Sequence, residues 1–226
     1  MAIRPIFIPT SSFGKLVEEI QISFKWHPGY ALTQKQNNIE SLHNEAHKLG
    51  FDKILEISTK SPNLIGKELS AFNLKFNTGN SSTCVENLYQ SSKVFENGGP
   101  FKDLLFSTAK DARTDKRLTT SGNLIKFEFF GNTWGLLPRT AFYDWLYISA
   151  AHQQSEKRIN ILDYIGFSDI EFNPKKSINC QARSAAMFVS LIKLNLVEQA
   201  INDIDFFLSL YNKKEMEKSK QLALPI

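Results

Sequence analysis

Segments that alternate with a period of two and segments that repeat every 3.6 residues are interleaved along the chain. That interleaving constrains the fold more than any other feature of the sequence. LVEEIQISFKW, residues 16–26, and LIKFEFFGNTW, residues 124–134, alternate apolar and polar side chains as half-buried strands do. KILEIS, 53–58, reads as a buried strand, and RPIFIP, 4–9, as a short edge strand bounded by Pro5 and Pro9. TQKQNNIESLHNEAHKLG, 33–50, reads as a helix with Thr33 as N-cap, Ile39, Leu42 and Ala46 on one face, and Gly50 at its end. Pro138 starts a second helix over RTAFYDWLYISAAHQQ, and residues 182–214 read as helical in two segments. The class expected is α+β, compact, mainly helical with a few short strands.

The connecting stretches are less regular. Residues 59–82 form a polar loop with a brief extended piece around Phe72 to Phe76. ENGGPFKDLLFSTAKDAR is a turn followed by a basic helix, and residues 159–181 are irregular and rich in turn formers. With 226 residues and no linker, repeat or low-complexity tract, the chain reads as a single domain over 1–226. Residues 1–50 are read as an N-terminal elaboration and 51–200 as the core.

Several function classes find no support. No GxGxxG, GxxxxGK[ST] or GxSxG stretch occurs, which removes the signals of dinucleotide-fold oxidoreductases, P-loop NTPases and the usual serine hydrolases. His43 and His47 have metal-ligand spacing, but Glu45 is not where HExxH requires its glutamate, so no metal is expected. Cys84 and Cys180 lack partners at motif spacing and read as small buried apolar residues. Two cysteines, no recognisable leader and no apolar run near 18 residues point to a reduced, cytoplasmic protein with no membrane contact. The net charge of +4 permits a polyanionic partner without requiring one.

TCVENLYQSSKVF, residues 83–95, carries the most chemistry. As one amphipathic helix it places Glu86, Gln90 and Lys93 within roughly 60° of one another, at about 100° per residue. Val85, Leu88, Tyr89 and Phe95 fall on the neighbouring arc. Glu86 and Lys93 are seven residues apart, too far for a helix-surface ion pair, so convergence on a third body is the better reading. LSAFN, 69–73, offers Ser70, Phe72 and Asn73, a set able to hold a ribose and stack a base. SDIEFNPKKSINCQAR, 168–183, brings together Asp169, Phe172, Lys175, Lys176, Asn179 and Arg183, with a helix start near Gln181 that suits a phosphate. Lys35 and Asn38 lie at another helix start. Trp134, between Gly131 and Gly135, is either a hydrophobic plug or a stacking platform.

Together these pieces resemble the NADAR superfamily, whose best-known branch is YbiA-like. That family's pattern is a strand, an F/L-S-x-F loop, and a helix of the type (V/S)-E-(H/N)-x-(Y/F)-Q-(A/S)-x-K-x-F. A tryptophan segment and a late acidic block then lead into the final helix. The matching residues here are LSAFN, CVENLYQSSKVF, Trp134, and SDIEF with INCQARSAAMFV. From Arg4 to about Leu196, segments such as FKWHPGYALTQKQNNIESLH, FYDWLYI and DIEFNPKKSINCQARSAA resemble the NADAR antitoxins encoded beside DarT-type DNA ADP-ribosyltransferases. Phe172 stands where tryptophan is usual and Asn87 where histidine is usual.

The resemblance implies a fold that binds ADP-ribose and hydrolyses an N-glycosidic bond, removing ADP-ribose from guanine in DNA. The implied partners are ADP-ribosylated single-stranded DNA, ADP-ribose itself and a cognate DarT-type toxin, with no cofactor. Glu86, Lys93 and Asp169 are the expected catalytic residues. Gln90, Ser70 and Asn73 would hold the sugar, and Phe72, Trp134 and Phe172 would stack. Lys35, Asn38, Lys175, Lys176, Asn179 and Arg183 would serve phosphates. Two alternatives stay open: a module that binds ADP-ribose or the toxin without chemistry, and an N-glycosidase acting on a riboflavin-pathway metabolite.

Overall fold

The computed structural model describes residues 1–12, 14–79, 81–154, 161–175 and 177–211. Its main sheet has the order β2-β1-β9-β3, where β1 is Ala2–Ser12, β2 Lys15–Phe24, β3 Ile54–Glu56 and β9 Gly166–Ser168. β1 and β2 form a long hairpin, registered from Ala2 opposite Phe24 to Ser12 opposite Lys15. The expected short edge strand is therefore an eleven-residue inner strand. A central strand carrying two prolines is unusual because proline cannot donate to the ladder. The arrangement is accommodated because β1 meets β9 only at Ile6 and Phe7, between Pro5 and Pro9.

β9 lies in the stretch read as irregular, and three residues are too few for a period to show. It runs antiparallel to β1 and parallel to β3, with Glu56 opposite Ser168. Residues 1–50 thus supply half of the strands of this sheet rather than an appendage to it.

Strand alternation separates two cores. Ile6, Ile22, Phe24 and Ile54 face helix α1, Leu32–Lys48, and pack on its Ile39, Leu42 and Ala46. Phe7, Leu16 and Leu55 face the other way, into a larger core with helices α6, Ala141–His152, and α7, Gln181–Lys193. The result is a helix–sheet–helix sandwich. Helix α1 starts one residue before Thr33, with Ala31 as an N-cap that makes no side-chain bond, and it ends as expected before Gly50 at φ 88°.

Helix α6 likewise starts three residues after Pro138. The 124–134 segment is a hairpin rather than one strand: β7, Leu124–Phe129, turns through Phe130 and Gly131, both at positive φ, into β8, Asn132–Trp134. β7 also pairs with β6, Lys93–Phe95. After α7 the chain forms two further short helices, α8, Val197–Asn202, and α9, Ile204–Ser209. Residues 212–214 of the expected final helix lie outside the described residues. Among the described residues, no helix is long and apolar enough to cross a membrane.

Candidate active site

Helix α3, Val85–Ser91, begins against the LSAFN turn. Glu86 N donates to Ala71 O at 2.9 Å and Val85 N to Leu74 O at 3.0 Å, so the turn takes up first-turn amides that a free helix would leave to water. The turn is tied in its own right to α7, since Ala71 N donates to Gln181 Oε1 at 2.8 Å. These bonds set Phe72 beside Glu86. Val85 and Leu88 enter the core, while Glu86 and Gln90 face a cavity of about 280 Å³. Gln90 Nε2 donates to Glu86 Oε1 at 2.8 Å, which fixes a carboxylate that is only 6 % exposed.

The helix does not run on to Phe95. The hydroxyls of Ser91 and Ser92 both fold back onto Leu88 O, and Lys93 leaves the helix to pair with Phe127 as the first residue of β6. The polar seam expected on one continuous helix is therefore built from two elements, and Lys93 reaches the same cavity from a strand end. Its ammonium sits 4.7 Å from the centroid of the Tyr89 ring. Burial pushes the Lys93 amine down to about 8; Glu86 opposes that shift and Arg113 adds to it. Among the described residues Lys93 and Glu86 make no ion pair within 4 Å, with each other or with any other group.

The opposite wall comes from the turn after β9. Asp169 Oδ1 accepts from Glu171 N at 3.0 Å and Phe172 N at 3.2 Å, which orients the carboxyl into the cavity with 7 % exposure. Phe172 packs edge-on against Phe7 at 6.4 Å. Asn179 Nδ2 donates to the Tyr89 hydroxyl at 2.6 Å, and Tyr143 meets the Tyr89 ring edge-on at 5.1 Å. Burial raises both tyrosine hydroxyls, so both stay protonated. Arg113, on helix α4, Ala109–Thr114, lies over Phe72 at 5.5 Å. Two buried acceptors in this wall, Gln90 Oε1 and Asn179 Oδ1, have no protein donor.

The expected residues Glu86, Lys93, Asp169, Phe72, Gln90, Phe172 and Asn179 all converge here. Others are placed elsewhere by structural tasks. Trp134 is a plug: it is 3 % exposed and packed among Phe142, Trp145 and Phe207. Asn38 is buried and clasps the backbone of His27 and Gln34. Ser70 and Asn73 both donate to Lys67 O and shape the turn instead of lining the cavity. Arg183 turns away to a buried carboxylate, Asp144, at 2.6 Å. Lys35 meets Glu171, a residue of the wall, at 2.8 Å and stands one layer back. Lys175 is exposed and does not line the cavity, and Lys176 lies outside the described residues.

Sequence reasoning noted Tyr89, Glu171 and Gln181 in their segments without giving them a place in the site, and it missed Arg113 and Tyr143 as site residues. The periodicity of α3 points to Tyr89, and Glu171 and Gln181 lie in the stretch that carries Asp169, whereas Arg113 and Tyr143 arrive from distant segments. His43 and His47 diverge, His43 to Ser168 Oγ at 2.8 Å and His47 to Asp52. Among the described residues no group of three His, Cys, Asp or Glu side chains could hold a metal ion.

A family model described as the DarT1-associated NADAR antitoxin matches residues 2–221. No curated protein matches the chain.

Proposed function

Because the chain belongs to the family of DarT1-associated NADAR antitoxins, we propose that its cavity hydrolyses the N-glycosidic bond joining ADP-ribose to guanine in DNA. The observation that carries this reading is the meeting of Glu86 and Lys93 at one cavity, without an ion pair between them. Breaking a ribosyl–nitrogen bond develops positive charge on the sugar and negative charge on the departing base. Glu86 faces the sugar and accepts a proton from the attacking water, whose oxygen bonds to the anomeric carbon. The electron pair of the broken bond goes to the base nitrogen, which takes a proton from the Lys93 ammonium. Transfer of the Glu86 proton back to Lys93 through solvent closes the cycle.

Gln90 Oε1 and Asn179 Oδ1 are buried acceptors that need donors, and ribose hydroxyls supply them. A cavity of about 280 Å³ is at the small end of ligand sites and takes a ribose with part of its neighbours. The remaining diphosphate and the DNA strand then lie outside it. Phe106 suits that role: it is 89 % exposed on a turn whose carbonyls at Leu104, Leu105 and Ser107 are held by Asn87 and Thr83. Lys102, Lys110 and Lys116 nearby in sequence make no ion pair among the described residues. A strand with bases and phosphates fits such a surface better than a small metabolite does.

The test is incubation with ADP-ribosylated single-stranded DNA, reading released ADP-ribose and restored guanine. Turnover is expected from the native chain. Glu86→Gln is expected to bind ADP-ribose within a few-fold of the native affinity and to lose roughly 10²- to 10⁴-fold in turnover. Binding without any release would assign the protein to occlusion of the modified base instead.

A further inference from the structure

A second cavity, of about 410 Å³, plays no part in the chemistry above. Leu88 and Ser91 line it from α3, on the side of the helix turned away from Glu86 and Gln90 at about 100° per residue. One wall is the 3-10 turn Lys102–Phe106, through Lys102 and Leu105. The other is the β7–β8 hairpin, from Glu128 to Thr133. Glu128 N donates to Ser92 O at 2.8 Å, which anchors that hairpin to the end of α3.

The hairpin tip is built against local preference. Phe129 faces Asn132 in the ladder, so Phe130 and Gly131 are the two central residues of the turn, with φ 44° and 82°. Positive φ at both central positions is the type I′ geometry, whose usual first residue is asparagine or aspartate; a bulky phenylalanine there strains the backbone. Burial does not offset that strain, since Phe130 is 65 % exposed. The ring is nonetheless held in place, because the buried Phe129 meets it edge-on at 4.6 Å. Neither turn formation nor core packing accounts for an aromatic ring here, braced from behind and lining the cavity.

Charge and continuity indicate what covers it. Lys102 and Glu128 are the ionisable residues of the lining. Glu128 is taken by Lys126 at 2.7 Å, whereas Lys102 makes no ion pair among the described residues. From Lys102 the chain runs as one segment packed on α3 to Arg113, which lines the first cavity. Along it Asp103 is neutralised by Arg117 at 2.6 Å, while Lys110 makes no ion pair among the described residues. The exposed Phe106 lies on the same segment. Cations and exposed rings thus interleave from one cavity to the other, as on surfaces that track a single strand with phosphates on the cations and bases on the rings. A helix with its side chains is about 10–12 Å across, which a few nucleotides cover at a rise of about 3.4 Å or more. Arg113, Lys110 and Lys102 suit one phosphate per nucleotide better than the one diphosphate of ADP-ribose.

We propose that the second cavity is a subsite for an unmodified nucleobase of the same single DNA strand, a few nucleotides from the modified guanine, with the base stacked on Phe130 and a phosphate held by Lys102. The subsite rests on the reading of the first cavity as the place of the modified guanine. No bond is made or broken in it; it holds the strand while the chemistry proceeds and gives DNA an advantage over free ADP-ribose.

The variant that tests it is Phe130→Asn, because Asn-Gly is the preferred pair for this turn. Its melting temperature is expected to be at or above the native one, so a loss of binding is not a loss of fold. Affinity of the full chain for an unmodified single-stranded oligonucleotide, read by fluorescence anisotropy, is expected to fall roughly fivefold to a hundredfold, as removal of a stacking ring does. Phe130→Tyr is expected to keep the native affinity, and free ADP-ribose to bind Phe130→Asn as it binds the native chain. In Lys102→Ala the fall of log affinity with log salt is expected to be shallower by about 0.7, the value of one single-strand phosphate contact.

Native oligonucleotide affinity in Phe130→Asn would overturn the proposal, and so would a native chain that binds no oligonucleotide. An equal loss of ADP-ribose affinity would assign the cavity to the adenosine end of that molecule. Unaltered DNA binding with loss of the associated toxin would assign it to a protein partner; either result overturns the subsite. Release of ADP-ribose from modified DNA is read separately. If the native chain releases none while its oligonucleotide affinity depends on Phe130, the reading of the first cavity fails and the second cavity still holds a strand.

Discussion

At the scale of single residues, the site is defined by how each ionisable group is desolvated. Lys93 is a cation held short of its ordinary value chiefly by burial, and Arg113 contributes to that. If Lys93 donates a proton, turnover is lost as pH rises through about 8, where its ammonium titrates. Arg113→Ala removes a repelling charge, so the alkaline limb of the rate profile is expected to move to higher pH, measured as kcat/KM against pH. The carboxyl side has the opposite sign. The folded pKa of Asp169 lies above its unfolded value, so its contribution to stability is full below the usual carboxylate range and is lost as pH rises toward the folded pKa. Asp169→Asn is expected to unfold at a temperature about 2–4 °C higher at pH 7.5, for roughly 1 kcal/mol regained, with no such gain at pH 4. Scanning calorimetry at the two pH values checks it.

At the scale of elements, the decisive event is the change from helix α3 to strand β6 between Ser92 and Lys93. A continuous helix would bring Glu86, Gln90 and Lys93 into line, but the strand lets Lys93 enter the cavity while Val94 and Phe95 stay buried. Helical periodicity found the right residues through the wrong geometry, because the seven-residue interval spans one helical stretch and a turn. The backbone of Lys93 is held from outside by the 98–99 loop. A Cβ on Gly99, which has φ 86°, would sit 2.4 Å from Lys93 O. Gly99→Ala is therefore expected to displace β6, lowering kcat by at least about tenfold with ADP-ribose affinity less affected. Equal kcat in the variant would show that Lys93 is not held by this loop.

At the scale of the whole molecule, the sheet and its two helical layers decide which polar residues reach the site. Arg183 shows this. It sits at a helix start that reads as a phosphate cradle, yet its guanidinium closes a buried cluster in which Ser184 and Tyr211 also donate to Asp144. The cluster ties α6, α7 and Tyr211 together, with Arg183 lying over the Tyr211 ring at 5.8 Å. Arg183→Met leaves the buried Asp144 without that cation and is expected to cost about 3–5 kcal/mol in denaturant unfolding. Where the variant remains folded, ADP-ribose affinity is expected to be unchanged.

The sequence by itself determined the mixed helix and strand class, the α1 face, the turn-forming loops, and several of the residues that line the cavity: Glu86, Gln90, Lys93, Asp169, Phe72, Phe172 and Asn179. These were legible because periodicity and the motif CVENLYQSSKVF are local. The tertiary structure alone decided that a proline-bearing strand lies inside the sheet, that the three-residue strand Gly166–Ser168 joins it, and that Glu56 and His43 stand behind Asp169. It also decided that Trp134 and Arg183 serve the core while Arg113 and Tyr143 serve the cavity. The physical reason is that burial and pairing between distant segments set both the direction of a side chain and the charge it carries, and neither leaves a trace in local spacing.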